Sequence, residues 1–184
     1  MTTITPLALA EVLLITPKRH GDARGWFTET WSKRVFDEAG VAADFVQDNQ
    51  AFNARKGTLR GLHFQKAPHP QAKLVRVLKG AIWDVGVDVR PGSPTYGQWA
   101  AATLTADGGE QIFIPRGFAH GYVTLEDDTM LAYKVDGLYA PDREGGVLWN
   151  DPDLALPWPL EGEPVLSDKD RVLPRLKDLG PVEF

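Results

Sequence analysis

The chain has 184 residues, of which 43% are hydrophobic, 24% charged and 10% aromatic, a composition typical of one globular domain rather than a disordered or fibrous protein. It contains no cysteine, which excludes disulfides, thiolate metal sites and thiol nucleophiles. The formal net charge is -5 and no Lys/Arg run exceeds two residues, so we expect no nucleic-acid partner. Without a membrane-length apolar run or a signal peptide, we also expect no membrane partner and a cytoplasmic location.

Short runs rich in β-branched and aromatic residues alternate with Gly- and Pro-containing turns. This pattern predicts an all-β sandwich or barrel, a single domain over residues 1–184. One helix is predicted over 32–39, capped by Ser32 and closed by Gly40. From Asp151 onward we expect an irregular segment that wraps the barrel, with a short helical turn. In chain order, strands are predicted at 12–16, 45–52, 58–65, 73–78, 81–89, 97–104, 110–114, 121–125 and 130–135.

The clearest alternation lies in residues 81–89. Ala81, Trp83, Val85, Val87 and Val89 share one face of the predicted strand, and Asp84 and Asp88 lie on the other. Successive side chains of a strand point to opposite faces. We therefore expect a buried valine face and a solvated aspartate face.

Two of the four histidines occur in glycine-spaced segments. His63 follows Gly57, and His120 ends a G-x5-P-x-G-x2-H pattern that begins at Gly109. Together these segments resemble the two motifs of the cupin superfamily, which implies a jelly-roll β-barrel with both histidines at its mouth. Metal-binding cupins use an H-x-H pair and a nearby Glu, whereas here Gln65 takes the second position and no Glu follows. We therefore expect no metal site and no cofactor, which leaves His63 available as a base.

A longer series of motifs narrows the resemblance. From about residue 20 to residue 170 the chain is similar to the dTDP-4-dehydrorhamnose 3,5-epimerase family, with the motifs in order and without a large gap. The motifs include Asp22-x-Arg24-Gly25-x-Phe27-x-Glu29, Phe45-Val-Gln47-Asp48-Asn49, Leu59-Arg60-Gly61-Leu62-His63-Phe64-Gln65, Lys73-Leu-Val-Arg-Val77, Ile114-Pro-Arg-Gly-Phe-Ala-His120-Gly121, Tyr133-Lys134 and Ser167-Asp-Lys169-Asp170.

The resemblance implies a catalytic set for a dTDP-4-keto-6-deoxyhexose, whose C3 and C5 protons are acidified by the C4 carbonyl. It makes His63 the base and Asp170 its carboxylate partner, a pairing that fixes the imidazole tautomer. Tyr133 is implied as the acid on the far face of the sugar. Lys73 and Arg60 are implied as cations near the C4 oxygen, where an enolate develops. A histidine ordinarily has a pKa of about 6.5, which suits proton transfer near neutrality.

The same resemblance implies a set of substrate-binding residues and a homodimer with composite sites, because Arg24 and Glu29 reach the partner's site in several family members. Glu29 is implied to accept from the thymine N–H, and Tyr139 to stack on the base. The implied binding residues are Arg24, Glu29, Gln47, Asn49, Arg60, His120, Tyr139, Glu144 and Lys169. Three alternatives stay open: epimerisation at one carbon of a related nucleotide sugar, a metal-dependent cupin enzyme, and a non-catalytic sugar-nucleotide-binding barrel.

Overall fold

The computed structural model describes residues 2–41 and 43–184. Within these residues the chain forms thirteen β-strands and two short α-helices, which confirms the predicted all-β class. No helix in this part of the chain is long and apolar enough to span a bilayer. The strands are β1 Thr3–Pro6, β2 Leu13–Thr16, β3 Arg19–Asp22, β4 Gly25–Thr28, β5 Gln47–Asn53, β6 Leu59–Gln65, β7 Lys73–Lys79, β8 Ala81–Asp88, β9 Trp99–Thr105, β10 Gln111–Ile114, β11 Phe118–Thr124, β12 Thr129–Val135 and β13 Glu144–Gly146, and the helices are α1 Lys33–Glu38 and α2 Asp168–Arg171.

Two antiparallel sheets enclose the core of the expected cupin-type barrel. The six-stranded sheet has the order β1-β2-β10-β7-β12-β5, and the five-stranded sheet has the order β13-β6-β11-β8-β9. Val75 and Leu131 from the first sheet pack with Ile82 and Leu104 from the second, all fully buried. Strands β3 and β4 pair with each other as a separate two-stranded hairpin.

The C-terminal segment covers the outer face of the five-stranded sheet. Leu154, Leu176 and Val182 from this segment pack against Val85 and Val87 of β8. The wrap predicted from Asp151 onward is therefore confirmed, and α2 is its helical turn. Because the segment buries the outer face, the central strands of this sheet are buried on both sides.

This layering corrects the prediction for residues 81–89. The alternation is right, but the aspartate face is not solvated, since Asp84 and Asp88 are both fully buried. The valine face packs under the C-terminal segment, so the aspartate face points toward the barrel interior. Asp88 is satisfied there by Arg90, whose Nη2 lies 2.8 Å from Oδ2, and by hydroxyl donors from neighbouring residues.

The nine predicted strands all form, with ends displaced by up to three residues. The largest displacement is in β11, which begins at Phe118 rather than at residue 121 and therefore contains His120. The prediction missed β1, β3, β4 and β13, which are short and mostly exposed or polar. Their pairing partners, rather than an apolar alternation, define them as strands.

The predicted helix forms as α1. Ser32 occupies its N-cap position, but the hydroxyl makes no capping hydrogen bond. At the other end, Gly40 adopts φ +78° and the Val41 N–H donates to the Phe36 carbonyl at 2.9 Å. This is the left-handed termination that glycine favours.

Candidate active site

A cavity lies between the two sheets beside the apolar core. Its larger lobe has a volume of about 460 Å³ and its smaller lobe about 330 Å³. The side chains of His63, Lys73 and Tyr133 line both lobes and therefore stand where the lobes meet. Eleven of the thirteen predicted site residues line this cavity. The larger lobe is lined by Arg60, His63, Lys73, His120, Tyr133, Lys169 and Asp170. The smaller lobe is lined by the three shared residues together with Gln47, Asn49, Tyr139 and Glu144.

Two histidines enter the cavity side by side from adjacent strands. His63 on β6 and His120 on β11 are register partners in the five-stranded sheet. The strands approach closely here because glycine occupies both sides: a Cβ on Gly61 would lie 2.6 Å from the Gly121 Cα. Gly61 also has φ +126°, a backbone conformation that favours glycine. Gly61 and Gly121 therefore let the two strands place both imidazoles in one wall of the cavity.

His63 is hydrogen-bonded to a carboxylate from the far end of the chain. Its Nε2 lies 2.6 Å from Asp170 Oδ1, and the His63 and Asp170 side chains are 31% and 4% exposed. An ionised carboxylate only accepts hydrogen bonds, so Nε2 carries the proton and Nδ1 keeps its lone pair. Asp170 thereby fixes the tautomer that leaves a basic nitrogen on the imidazole.

The C-terminal segment holds Asp170 in place. Asp170 lies in α2, and its N–H donates to Oγ of Ser167, the N-cap residue, at 3.2 Å. Burial alone would raise the pKa of Asp170, but hydrogen bonds from His63, Ser167 and the Gly61 backbone hold it below its ordinary value. Asp170 is therefore ionised at neutral pH and can stabilise a protonated His63.

Tyr133 faces the cavity from the opposite sheet. It lies on β12, half-buried, and packs beside the apolar core. Burial raises the pKa of the Tyr133 phenol, and the nearby Arg60 opposes this shift only in part. The phenol therefore keeps its proton at neutral pH. Because β6 and β12 belong to different sheets, the imidazole and the phenol approach the cavity from two sides.

Lys73 lines both lobes of the cavity together with these two groups. It lies at the start of β7, and its alternation with the buried Val75 and Val77 turns it toward the barrel interior. Within the described residues it forms no salt bridge. Burial lowers the pKa of Lys73 to about 8, although Asp84 and Glu144 oppose the shift. An unpaired, partly desolvated ammonium group is well suited to an incoming negative charge.

Asp84 is a site residue that sequence reasoning missed. It accepts from His120 Nε2, at 3.0 Å to Oδ1 and 2.9 Å to Oδ2, and it is fully buried behind the imidazole. Burial lowers the pKa of His120, and Asp84 opposes the shift only in part. The alternation in β8 carried the relevant signal, because it places Asp84 on the face opposite the valines.

Gln65 has a structural role in the smaller lobe. Its amide nitrogen donates to the His69 carbonyl at 2.7 Å, and its oxygen accepts from the Ala140 N–H at 2.9 Å. These bonds hold the loop that carries Tyr139, whose side chain is exposed. The Tyr139 N–H in turn donates to the Gln47 side chain at 3.3 Å. Both ends of the Gln65 amide, at the position where metal-binding cupins carry a ligand, are thus hydrogen-bonded to backbone groups.

Lys169 and Glu144 form a salt bridge between the two lobes. Lys169 Nζ lies 2.5 Å from Glu144 Oε2 and joins α2 to β13. Both side chains are partly exposed, so the ammonium group is accessible to a ligand at the cavity mouth. Among the described residues, no group of three His, Asp or Glu side chains is arranged to hold a metal ion.

Comparison with known proteins decides the family. Residues 6–178 match the family model described as dTDP-4-dehydrorhamnose 3,5-epimerase. The chain belongs to the dTDP-4-dehydrorhamnose 3,5-epimerase family. This membership agrees with the motifs of the sequence and with the barrel that carries the cavity.

Three relatives indicate the range of the epimerase family around this chain. The dTDP-4-dehydrorhamnose 3,5-epimerase of Sinorhizobium fredii is 47% identical over 97% of the chain and 91% of the relative. The crystal structure of the 3,5-epimerase of Legionella pneumophila, in complex with dTDP-4-keto-L-rhamnose, has a TM-score of 0.93 at 40% identity and covers 97% of this chain and 95% of that one. The structure of ChmJ, a 3'-monoepimerase of Streptomyces bikiniensis in complex with dTDP-quinovose, has a TM-score of 0.87 at 37% identity, covering 94% and 87%.

Two residues that the epimerase resemblance assigns to substrate binding lie outside the cavity of their own chain. Arg24 is in the tip of the β3–β4 hairpin, where its side chain is 90% exposed and pairs with Asp22. Glu29 follows β4 and is also exposed. Between them, Trp26 and Phe27 are 60% and 71% exposed. The hairpin therefore presents apolar and charged side chains away from the site formed by the barrel.

Proposed function

We propose that this protein catalyses the cofactor-independent 3,5-epimerisation of dTDP-4-dehydro-6-deoxy-D-glucose to dTDP-4-dehydro-L-rhamnose. The observation that carries the proposal is the His63–Asp170 pair, at 2.6 Å, lining one cavity together with Tyr133 from the opposite sheet. Inverting a carbon next to a carbonyl requires a base on one face of the sugar and an acid on the other. The 3,5-epimerases among the relatives support the choice of reaction.

The first step is removal of a ring proton. His63 Nδ1 takes the proton from C3 or C5, and the electrons of the broken C–H bond move into the ring to give an enolate at the C4 oxygen. The ionised Asp170 stabilises the imidazolium through the Nε2 hydrogen bond. Lys73, which forms no salt bridge within the described residues, supplies positive charge for the enolate oxygen.

The second step returns a proton to the opposite face. The Tyr133 phenol donates its proton to the ring carbon, the enolate electrons re-form the C–H bond and the C4 carbonyl is restored. The phenolate then recovers a proton, and His63 loses one, so that the protein returns to its starting state. The raised pKa of Tyr133 keeps the acid protonated before each cycle.

The remaining side chains suit the nucleotide. Lys169 is a cation on the larger lobe, and ammonium groups bind phosphate oxygens well. Arg60 lines the same lobe, where its guanidinium suits either a phosphate oxygen or the C4 oxygen that the resemblance implies. In the smaller lobe the Gln47 amide donates to Asn49 Oδ1 at 2.8 Å, which organises two polar groups beside Tyr139. We assign the exposed Tyr139 ring to the thymine base. A nucleotide sugar is a cytoplasmic metabolite, so we expect the protein to act there.

Epimerisation at C3 alone is the second candidate, because ChmJ, a 3'-monoepimerase, has the same fold. Proton NMR of the substrate with the protein in D₂O distinguishes the two. We expect loss of both the C3 and C5 proton signals, with an unchanged rate after treatment with a chelator. Deuterium label at C3 alone would support a mono-epimerase. A rate that falls on treatment with the chelator would support a metal-dependent enzyme, and binding without any proton exchange would support a non-catalytic barrel.

The pH dependence tests the role of Lys73. With a pKa of about 8, the side chain is charged below that pH and neutral above it, so kcat/KM should fall as pH rises through about 8. Arg stays charged at every accessible pH, so Lys73→Arg should move this alkaline limb upward by at least one pH unit, at a lower maximum rate. The measurement is the pH profile of kcat/KM, and an unmoved alkaline limb in the variant would assign it to another group.

We further propose a homodimer in which each cavity is completed by the partner's hairpin. Arg24 and Glu29 do not line the cavity of their own chain, and the hairpin that carries them exposes Trp26 and Phe27. Exposed large apolar side chains of this kind mark association surfaces. A two-fold interface would bring each hairpin to the other subunit in the same way.

Complementation between two inactive variants tests the composite site. In mixed dimers of His63→Ala with Arg24→Ala/Glu29→Ala, one of the two cavities combines an intact barrel with an intact hairpin. Random assembly of equal amounts should therefore restore about a quarter of wild-type activity. Co-expression of His63→Ala with Lys73→Ala is the control, since both defects lie in the barrel and no mixed dimer has an intact site. Absence of recovery in the first mixture would refute the composite site.

A further inference from the structure

A buried amide side chain stands beside the mouth of the cavity. Asn53, the last residue of β5, is 2% exposed. Its Nδ2 donates to the Thr129 carbonyl at 3.3 Å, and its Oδ1 accepts from Arg60 Nε at 2.9 Å. The Tyr122 hydroxyl donates to the same oxygen at 3.4 Å. Both ends of the amide are therefore engaged, and its orientation is fixed.

Arg60 depends on this amide for its position. Its only other hydrogen bond in the described part of the chain is a long one, 3.4 Å from Nη2 to the Phe52 carbonyl, and it forms no salt bridge there. The side chain lies on β6 in the five-stranded sheet, whereas Asn53 lies at the edge of the six-stranded sheet. The Nε bond thus links the two sheets and leaves most of the guanidinium N–H groups free beside the cavity.

We infer that Asn53 is a positioning residue that holds the Arg60 guanidinium toward an anionic oxygen of the bound sugar nucleotide. The inference rests on the proposed function, because that function supplies the anion. An arginine held at one nitrogen loses less side-chain freedom on binding than an unrestrained one, so the hydrogen bond favours binding by pre-organisation. Two oxygens fit this chemistry: a diphosphate oxygen, and the C4 oxygen as the enolate forms.

The first measurement observes the hydrogen bond without substrate. In ¹⁵N-resolved NMR the Arg60 Nε–H, assigned through Arg60→Lys, should exchange slowly with solvent in the wild type and rapidly in Asn53→Ala. Asn53→Ser, whose shorter side chain does not reach Arg60, should behave in the same way and serves if the alanine variant folds poorly. Slow exchange that persists in both variants would overturn the inference, whatever reaction the protein catalyses.

The second measurement couples Asn53 to Arg60 through function. We expect Asn53→Ala to weaken dTDP binding or lower kcat by about tenfold, the scale of a hydrogen bond to a charged group. Weaker dTDP binding assigns Arg60 to the diphosphate, and a lower kcat with unchanged dTDP affinity assigns it to the C4 oxygen. In an Arg60→Ala background the same substitution should have no further effect in either assay. An equal loss in both backgrounds would show that Asn53 does not act through Arg60.

A matched control separates this role from a general loss of packing. Asp88 is also a fully buried polar side chain, and its Oδ2 accepts from the Thr95 hydroxyl at 2.6 Å outside the cavity. Asp88→Asn should lower the unfolding temperature without altering dTDP affinity or kcat. If the wild type does not turn over the sugar nucleotide, the proposed function fails, yet proton exchange and dTDP affinity still test the link between Asn53 and Arg60.

Discussion

Replacement of His63 by alanine is expected to lower kcat by roughly 10²- to 10⁴-fold or more, the usual contribution of a positioned general base. His63 is the only group in the described structure that combines a carboxylate partner at 2.6 Å with a place at the junction of both lobes. Its loss removes the acceptor for the ring proton, so solvent exchange at C3 and C5 should fall in parallel with product formation. Steady-state kinetics and deuterium uptake in D₂O measure the two rates.

Two further variants define how His63 acts. Asp170→Asn should also lower kcat strongly. The asparagine amide can either accept a hydrogen bond from Nε2–H or donate one to a bare Nε2, so it no longer enforces the tautomer in which Nδ1 is free to act as a base. His69→Ala removes an exposed histidine that does not line the cavity and should leave kcat unchanged. Near wild-type turnover in His63→Ala, with solvent exchange retained, would assign the base to another residue.

Replacement of Tyr133 by phenylalanine should separate exchange from inversion. The base remains, so a proton can still leave the ring and a deuteron can return from the same face through His63. The acid on the far face is lost, and formation of the inverted product should therefore fall by roughly 10²- to 10⁴-fold. NMR in D₂O should then reveal substrate that gains deuterium without changing configuration.

The control for this variant is Tyr96→Phe. The Tyr96 hydroxyl lies 3.5 Å from the Leu176 carbonyl, outside the cavity, and its loss should change neither rate. The ratio of deuterium uptake to product formation is the decisive quantity. If it stays at the wild-type value in Tyr133→Phe while both rates fall together, the phenol does not deliver the proton to the far face.

Local patterns were sufficient to predict the barrel. Alternation and turn residues identified nine strands because apolar side chains recur along them, and these pack between the two sheets or under the C-terminal segment. They did not identify β3 and β4, whose residues are mostly exposed and pair with each other in a separate two-stranded sheet. A short hairpin with mostly exposed side chains leaves no apolar alternation in the sequence.

The environment of Asp84 shows a different limit. An alternating strand with aspartates on one face is ordinarily read as half solvated. Here the C-terminal segment covers the valine face, so the barrel interior receives the aspartates. The prediction needed the position of residues beyond 151, and strand periodicity carries no information about so distant a contact.

The proposed catalytic residues could be brought together only through family resemblance. His63 and Asp170 are 107 residues apart, and Asp170 lies in a charged, helical turn that resembles an ordinary surface segment. Asn53 was not singled out at all, because its importance comes from one hydrogen bond across the gap between two sheets. Such contacts depend on the completed barrel rather than on any local pattern.

A crystal structure with the 4-keto sugar nucleotide bound would test the central arrangement most directly. We expect one hexose ring between His63 Nδ1 and the Tyr133 hydroxyl, with each group within about 3–3.5 Å of a reacting position and on opposite faces of the ring. Lys73 should lie against the C4 oxygen. A hexose bound with the imidazole and the phenol on the same face, or beyond the reach of either group, would contradict the account.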